Sequence, residues 1–594
     1  MKNIQKKIYQ LLLIGGMAIA TSGCSSDFLD VYNKGTVSPD IFPTSMAQLD
    51  LMLNAVYGET KTNGLYGFYW LPMGIYLYDH TDDLDWTAEA DRSYMSLNHT
   101  GSTSSYIRST YTEVFKLVEL SNAVLEAVEG FKEKGHALST DLPQLDYMKG
   151  QAYFFRALAY WHGQIYIQPE ANGMAIPLWD HVPKSVEEMS ASRPTTAEFW
   201  TFVISDLRNA LTLLTGRNSD YTRPTEWAAK GLLAKVYAQS GDIASAKPIL
   251  KDVIDNSGKG LAPYDTYKNM FFGESEYEYN VETIFDIDVT VDMQQWGPWG
   301  SVPLGSGMPM VFAPNFVNLA DGGSIASGWS NNFVHEKNIY RFGFDLPPMS
   351  PSQFVNNPAY DASKPKSLEN LEKVPPADYV KASQDMRTNK TVDPRLFLSC
   401  GQPFVETVLN DNGQVTVYGL PPSVVDPEAS KLQAWSHRKF TNLKGTEGAI
   451  SMSSGANYPI VRMADLYLLY AEACAASEPN VALEYINKVH RRAYNYPPDS
   501  PSPIDYKSLT DRTMAQAGDH LANDPLKYER WAELFAEGQW WFDVCRWKIG
   551  SKEAAYYQKT RVAAIDWSDS YSYTQPIPKQ ELDRNTNMVQ TPGY

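Results

Sequence analysis

Apolar side chains recur at i, i+3, i+4 and i+7 through most of the first 260 residues and again after residue 460, the spacing of helices laid against a core. Met46, Leu49, Leu53, Val56 and Tyr57 share one face of a helix over 45–57, with Thr44 or Ser45 placed to cap its start. The same period predicts helices over 111–128, 142–166, 196–214, 225–239, 243–254, 461–476 and 481–494. A last one, over 528–547, carries a stripe of Trp531, Leu534, Phe535, Gly538, Phe542 and Cys545. Glycine inside such a stripe costs about 1 kcal/mol against alanine, so close approach of a crossing helix is expected at Gly538. The opposite face holds Glu529, Arg530, Glu533, Glu537, Asp543 and Arg546, read as solvated ion pairs at helical spacing rather than as paired catalytic acids.

The helical segments resemble one another. Ala152 and Ala157 before Tyr160 align with Ala229 and Ala234 before Tyr237, and the run from Ala464 to Ala473 repeats the theme. Small residues beside large ones at this spacing are what stacked helix hairpins of the tetratricopeptide type require. The fold class expected is therefore mainly α, a tetratricopeptide-like scaffold. Two stretches interrupt it. Residues 58–101 have no sustained period and many aromatic rings, and such long irregular segments are usually functional. From about 259 to 458 proline and glycine are dense and only short strands show, over 283–289 and in a hairpin of 405–409 with 415–418 around Asp411-Asn412-Gly413. The division expected is a leader over 1–23, a tether over 24–44, a helical region over 45–258, a loop-rich insertion with short β-hairpins over 259–458, and a C-terminal helical region over 459–594.

A net charge of -18 argues against nucleic acid or an anionic membrane face as a partner, because both repel it. Lys2, Lys6 and Lys7 followed by an apolar run over 8–20 form a secretory signal, too short to be kept as a membrane span. It ends Thr21-Ser22-Gly23-Cys24, similar to a bacterial lipobox, in which the Cys24 thiol takes a diacylglycerol. Several acyl chains then make a stable anchor. Cys400, Cys474 and Cys545 have no metal-type spacing, and the latter two fall on apolar helix faces as small core residues. The acidic run Asp79 to Asp85 fits no EF-hand register, and no nucleophile elbow, phosphate loop or zinc motif is present, so neither cofactor nor metal is expected.

Glu529-Arg530, Glu533-Leu534, Glu537-Gly538 and Trp541 to Val544 with Arg546 resemble the C-terminal signature of the SusD/RagB family of bacterial surface lipoproteins, from which Ala536 and Trp540 depart. Arg462 to Ala473, Arg223-Pro224-Thr225, Asp393-Pro394-Arg395 and the ending from Gln575 through Asn587 to Tyr594 are similar to further landmarks of the family, in order along the chain. The resemblance implies a non-catalytic outer-membrane receptor facing outward. It would capture an oligosaccharide and pass it to a SusC-like TonB-dependent transporter, through loops of the two irregular regions.

A sugar ring packs its C–H face on an indole while carboxylates, amides and guanidinium groups take its hydroxyls. Trp86, Trp296, Trp299 and Trp329 stand in loop-like contexts with Asp83, Asp85, Arg92, Gln295 and Asn331 close in sequence, and form the candidate ligand set. Taken singly, each tryptophan also suits a loop anchor. The competing functions are a glycoside hydrolase, which needs a carboxyl pair in these loops, and a transporter subunit that captures peptide or has no ligand of its own.

Overall fold

The computed structural model describes residues 42–67, 81–82, 105–167, 173–289, separate stretches between 307 and 441, then 454–557 and 567–594. Helix α1 (Met46–Thr60) starts where the Ser45 hydroxyl accepts from the Gln48 amide. It packs on α2 (Ser105–Glu133), α2 on α3 (Leu142–Ile167), α3 on α4 (Thr196–Leu214), α4 on α5 (Glu226–Gln239) and α5 on α6 (Ile243–Asn256). The later starts carry side-chain caps as well: Thr195 and Glu198 close a reciprocal capping box at α4, Thr225 caps α5 and Asp242 caps α6. Ala152, Ala157, Ala229 and Ala234 are fully buried, the positions at which small residues let neighbouring helices approach.

Between α6 and the next long helix lie strand β2 (Thr283–Ile287), the short helices α7 (Glu336–Arg341), α8 (Ala377–Asn389) and α9 (Arg395–Ser399), and small sheets. The expected hairpin forms from β6 (Thr407–Leu409) and β7 (Val415–Tyr418), and β3 (Asn315–Asn318) and β4 (Ser324–Ala326) extend it to four strands. Strand β8 (Tyr458–Arg462) then pairs antiparallel with β2 and runs directly into α10 (Met463–Cys474). α10 packs on α6 and on α11 (Pro479–Ala493), so the helical stack resumes where it was interrupted. β8 crosses α5 so closely that a Cβ at Gly231 would lie 2.6 Å from Val461 Cγ1. No described helix is long and apolar enough to cross a membrane.

The C-terminal segment corrects the sequence reading twice. The single helix over 528–547 is two, α12 (Pro525–Glu533) and α13 (Trp540–Trp547), because Ala536 and Gly538 take left-handed φ of 59° and 66° and turn the chain between them. Gly538 is thus explained by its backbone and not by a crossing helix. The supposedly solvated face is buried: Glu529 and Glu533 are 0% exposed, Glu537 and Asp543 1%, and Arg530 4%. Their partners come from remote segments. Arg462 donates to Glu282 (2.6 Å), Glu533 (2.8 Å) and Glu537 (2.7 Å). Arg492 bridges Glu282 and Glu533 at 2.7 and 2.5 Å, Arg395 grips Asp393 and Glu529, and Lys439 donates to Glu537 at 2.8 Å. A second buried set links Lys235 and Arg530 through Asp465, and Arg530 and Arg546 through Asp543. A third joins Lys337 and Arg341 of α7 to Glu553 on α14 (Gly550–Tyr557).

Burial alone would raise the Glu533 carboxyl, but attraction by Arg492, Arg462 and Arg395 holds it down to about 2. Its folded value lies below the ordinary 4.5, so its stabilisation is present above about pH 4.5 and is lost as pH falls toward 2. Glu533→Gln leaves buried guanidinium groups uncompensated and is expected to cost about 3–5 kcal/mol in urea unfolding at pH 7. The gap from the parent should narrow as pH falls below 4.5, and Lys381→Ala, at an exposed pair, should change nothing measurable. An unchanged midpoint at pH 7 for Glu533→Gln would contradict the buried network.

Candidate functional site

Trp86, Asp83, Asp85, Arg92, Gln295, Trp296, Trp299, Trp329 and Asn331 lie outside the described residues, as does Cys24. What is described is where their segments leave and rejoin the scaffold. Strand β1 (Thr81–Asp82) pairs antiparallel with β5 (Phe333–Val334), Asp82 opposite Phe333. Asp83 follows β1 directly, and Trp329 and Asn331 precede β5 by four and two residues. In an antiparallel register those two chain ends open from the same end of the ladder. A second clasp joins the same two regions: the Gly307 amide donates to the Gly67 carbonyl at 2.9 Å. At Gly67 a Cβ would lie 1.6 Å from the Lys61 carbonyl oxygen, so only glycine lets this turn close. The segment bearing Gln295, Trp296 and Trp299 begins two residues after Asp288, just beyond the end of β2, and precedes Gly307. Two backbone clasps and one strand end therefore root all the candidate segments.

Beside the root of β2 is a polar cleft of about 210 Å³, bounded by α1, Phe155 of α3, residues 285–288 and the turn at Thr222-Arg223. The Arg223 guanidinium lies 4.5 Å over the Tyr57 ring, and the Tyr57 hydroxyl donates to Gln151. Phe285 packs into the helical core against Phe154 and Phe155, with ring centroids 4.7 and 6.0 Å away. Burial, reinforced by the charge of Glu278, pushes the Asp286 carboxyl up to about 7. Burial likewise pushes Glu278 up to about 7. Asp286 Oδ1 is sealed from solvent and accepts no hydrogen bond. Asp288 is exposed and accepts from the Tyr279 hydroxyl at 2.7 Å. The rim thus offers hydroxyl, amide, guanidinium and carboxylate groups to a polar ligand, while the sealed Asp286 oxygen cannot reach a substrate. The alternation over 283–289 gives the strand, and the two acids among its apolar residues are the one signal in the sequence for this cleft.

The carboxylates of the C-terminal segment are no acid pair for hydrolysis, since Glu529, Glu533 and Glu537 are sealed in ion pairs. Cys400, Cys474 and Cys545 are buried thiols outside any disulfide, the latter two as the sequence reading has them. Among the described residues no group of three or more His, Cys, Asp or Glu is placed to hold a metal ion.

Comparison with known proteins places this geometry among relatives. A family model described as "SusD family" matches residues 292–594, and one described as "Starch-binding associating with outer membrane" matches residues 27–238. A SusD-like protein of Bacteroides ovatus is 23% identical over 583 residues, covering 91% of this chain and 82% of that protein. A SusD homolog from Bacteroides thetaiotaomicron superposes with a TM-score of 0.65 at 17% identity, covering 94% of this chain and 98% of the other. A laminarin-binding SusD-like protein superposes at 0.62 and 19% identity, covering 93% and 100%.

The folded value of Asp286 lies above the ordinary 3.8, so its ionisation burdens the folded state fully above about pH 7 and the burden fades as pH falls toward 3.8. Asp286→Asn is expected to raise the melting temperature at pH 8 and to lose that advantage by pH 4. A variant less stable than the parent at pH 8 would contradict an uncompensated carboxylate at the root of β2.

Proposed function

Because the chain belongs to the SusD family, we propose that it is a non-catalytic surface receptor, held to the outer membrane by lipid on Cys24. It captures an oligosaccharide and passes it to a SusC-like TonB-dependent transporter. The observation that carries this reading is the pair of clasps, β1 with β5 and Gly67 with Gly307, each of which joins the chain near 67–82 to the chain near 307–334, the two regions that bear the candidate residues. The starch-binding description of the N-terminal family model and the laminarin-binding relative support a glycan as the ligand class.

On this reading Trp86, Trp296, Trp299 and Trp329 supply ring faces for sugar C–H groups. Asp83, Asp85, Arg92, Gln295 and Asn331 then take the hydroxyls and distinguish their orientations. A receptor that hands its ligand on gains from several weak contacts that release it. Selection comes from the shape of the aromatic arc, matched to the curvature of the glycan.

Affinity electrophoresis through gels containing laminarin or starch tests it, with the purified lipoprotein in a polyoxyethylene detergent that offers no sugar headgroup. Trp296→Ala or Trp86→Ala is expected to reduce retention at an unchanged melting temperature. Unchanged retention with a large loss of stability would make these tryptophans loop anchors. Release of reducing ends at an enzymatic rate would overturn the non-catalytic reading.

A further inference from the structure

We propose that the cavity beside the start of α1 is the seat of the chain's own tether, residues 27–41, which folds back into it and draws the body down to the membrane. The cavity, of about 670 Å³, is walled by Phe42, by Met52 of α1, by Ala123 and Ala127 of α2, and by Val182 and Pro183. Gly130 also lines it, and nothing lies within 4 Å of a Cβ built there, so the cavity is open on that side. Past Pro183 the chain continues to Val186 and Met189, 72% and 56% exposed on a one-turn helix. Exposed apolar surface of this kind marks a place that another segment covers.

Connectivity selects the occupant. Pro43 is buried, the Thr44 amide donates to Gln48 Oε1 at 2.6 Å and Ser45 caps α1, so the chain enters the body at a fixed point. Phe42 stands in the cavity wall and Ile41 is bonded to it. A segment attached there meets the cavity at an effective concentration on the order of millimolar, which fills a site too weak to hold a free partner. The tether lies outside the described residues, and its sequence suits the seat. Phe28, Leu29, Val31, Tyr32, Val37 and Ile41 supply apolar side chains. Asn33-Lys34-Gly35 and Ser38-Pro39-Asp40 are turn signals that let the chain double back between Phe28 and Phe42. Charge agrees with this choice. Lys134 and Lys184 line the cavity against Glu126, whose carboxylate already accepts from the Val182 amide at 2.8 Å, while the tether carries Asp27, Asp30 and Asp40 against Lys34.

The consequence is height, on the reading that Cys24 carries the lipid. Phe42 is 18 residues from Cys24, so a fully extended tether lets the body stand about 60 Å from the bilayer. With residues 27–41 seated, only the stretch from Cys24 to Asp27 still spans the gap, a reach of about 10 Å. The edge formed by α1 and α2 then faces the membrane.

Limited trypsin digestion of the purified lipoprotein in phosphatidylcholine vesicles tests this, because Lys34 is the one lysine or arginine between Cys24 and Lys61. The Lys34–Gly35 bond is expected to be cut at least tenfold more slowly than the same bond in a synthetic peptide of residues 25–41, which corresponds to a seated-to-free ratio of about ten. Two variants are each expected to bring the rate to within about twofold of the peptide's while the folded body stays uncut. Ala127→Trp fills the cavity, and Phe28→Asp combined with Leu29→Asp removes an apolar pair from the tether without touching the body. A parent cut as fast as the peptide would overturn the proposal and leave the cavity to lipid or to another protein. Protection that survives either variant would overturn it in favour of shielding by the bilayer or a seat elsewhere. Flotation of the same vesicles reads the lipid on Cys24 separately, and digestion is scored on floated and unbound protein alike, so the seat and the anchor can fail independently.

Discussion

Arg395, Lys439, Arg462 and Arg492, with the carboxylates of Glu282, Asp393, Glu529, Glu533 and Glu537 that they share, fasten the irregular middle of the chain to its helical body. Each of these charges would be costly to bury alone, and the set is tolerable because nearly every one meets an opposite partner at hydrogen-bond distance. The members come from just before β2, from α9 and the residues leading into it, from the stretch before β8 and the end of β8, from α11, and from α12 and the turn after it. Lifting the insertion from the scaffold therefore strands charges on both sides. Apolar packing holds the helix hairpins together, and ionic complementarity determines where the insertion sits.

That division explains what the sequence made legible. The long helices were readable because each buries an apolar stripe, and several start at a side chain that caps them, as with Ser45, Thr195, Thr225 and Asp242. The face of Glu529, Glu533 and Glu537 was not, because its charged partners Arg395, Lys439, Arg462 and Arg492 lie in remote segments of the chain and a buried ion pair has the same local spacing as an exposed one. The helices of the insertion were hidden for a related reason. α7 buries Lys337 and Arg341 completely, and α9 buries Arg395, so polar residues occupy positions where periodicity expects apolar ones. The β1–β5 clasp joins two-residue strands too short to show any alternation, and it was invisible for that reason alone.

The candidate site shows the same partition. Aromatic and polar residues in irregular segments pointed to a candidate ligand set, and the structure adds the points at which those segments leave and rejoin the scaffold, at two backbone clasps and the end of β2. Helix α1 carries Tyr57 and Thr60 to the polar cleft beside the end of β2.

The account stands or falls on whether the insertion and the scaffold open as one unit. Native-state hydrogen exchange on the intact chain measures this directly, through the amides of β2 and α7 set against those of α10. The account requires β2 and α7 to exchange as slowly as α10, with the same dependence on denaturant. Exchange in β2 and α7 that is orders of magnitude faster, at denaturant concentrations that leave α10 protected, would show an insertion that detaches by itself and a buried ionic network that does not hold it.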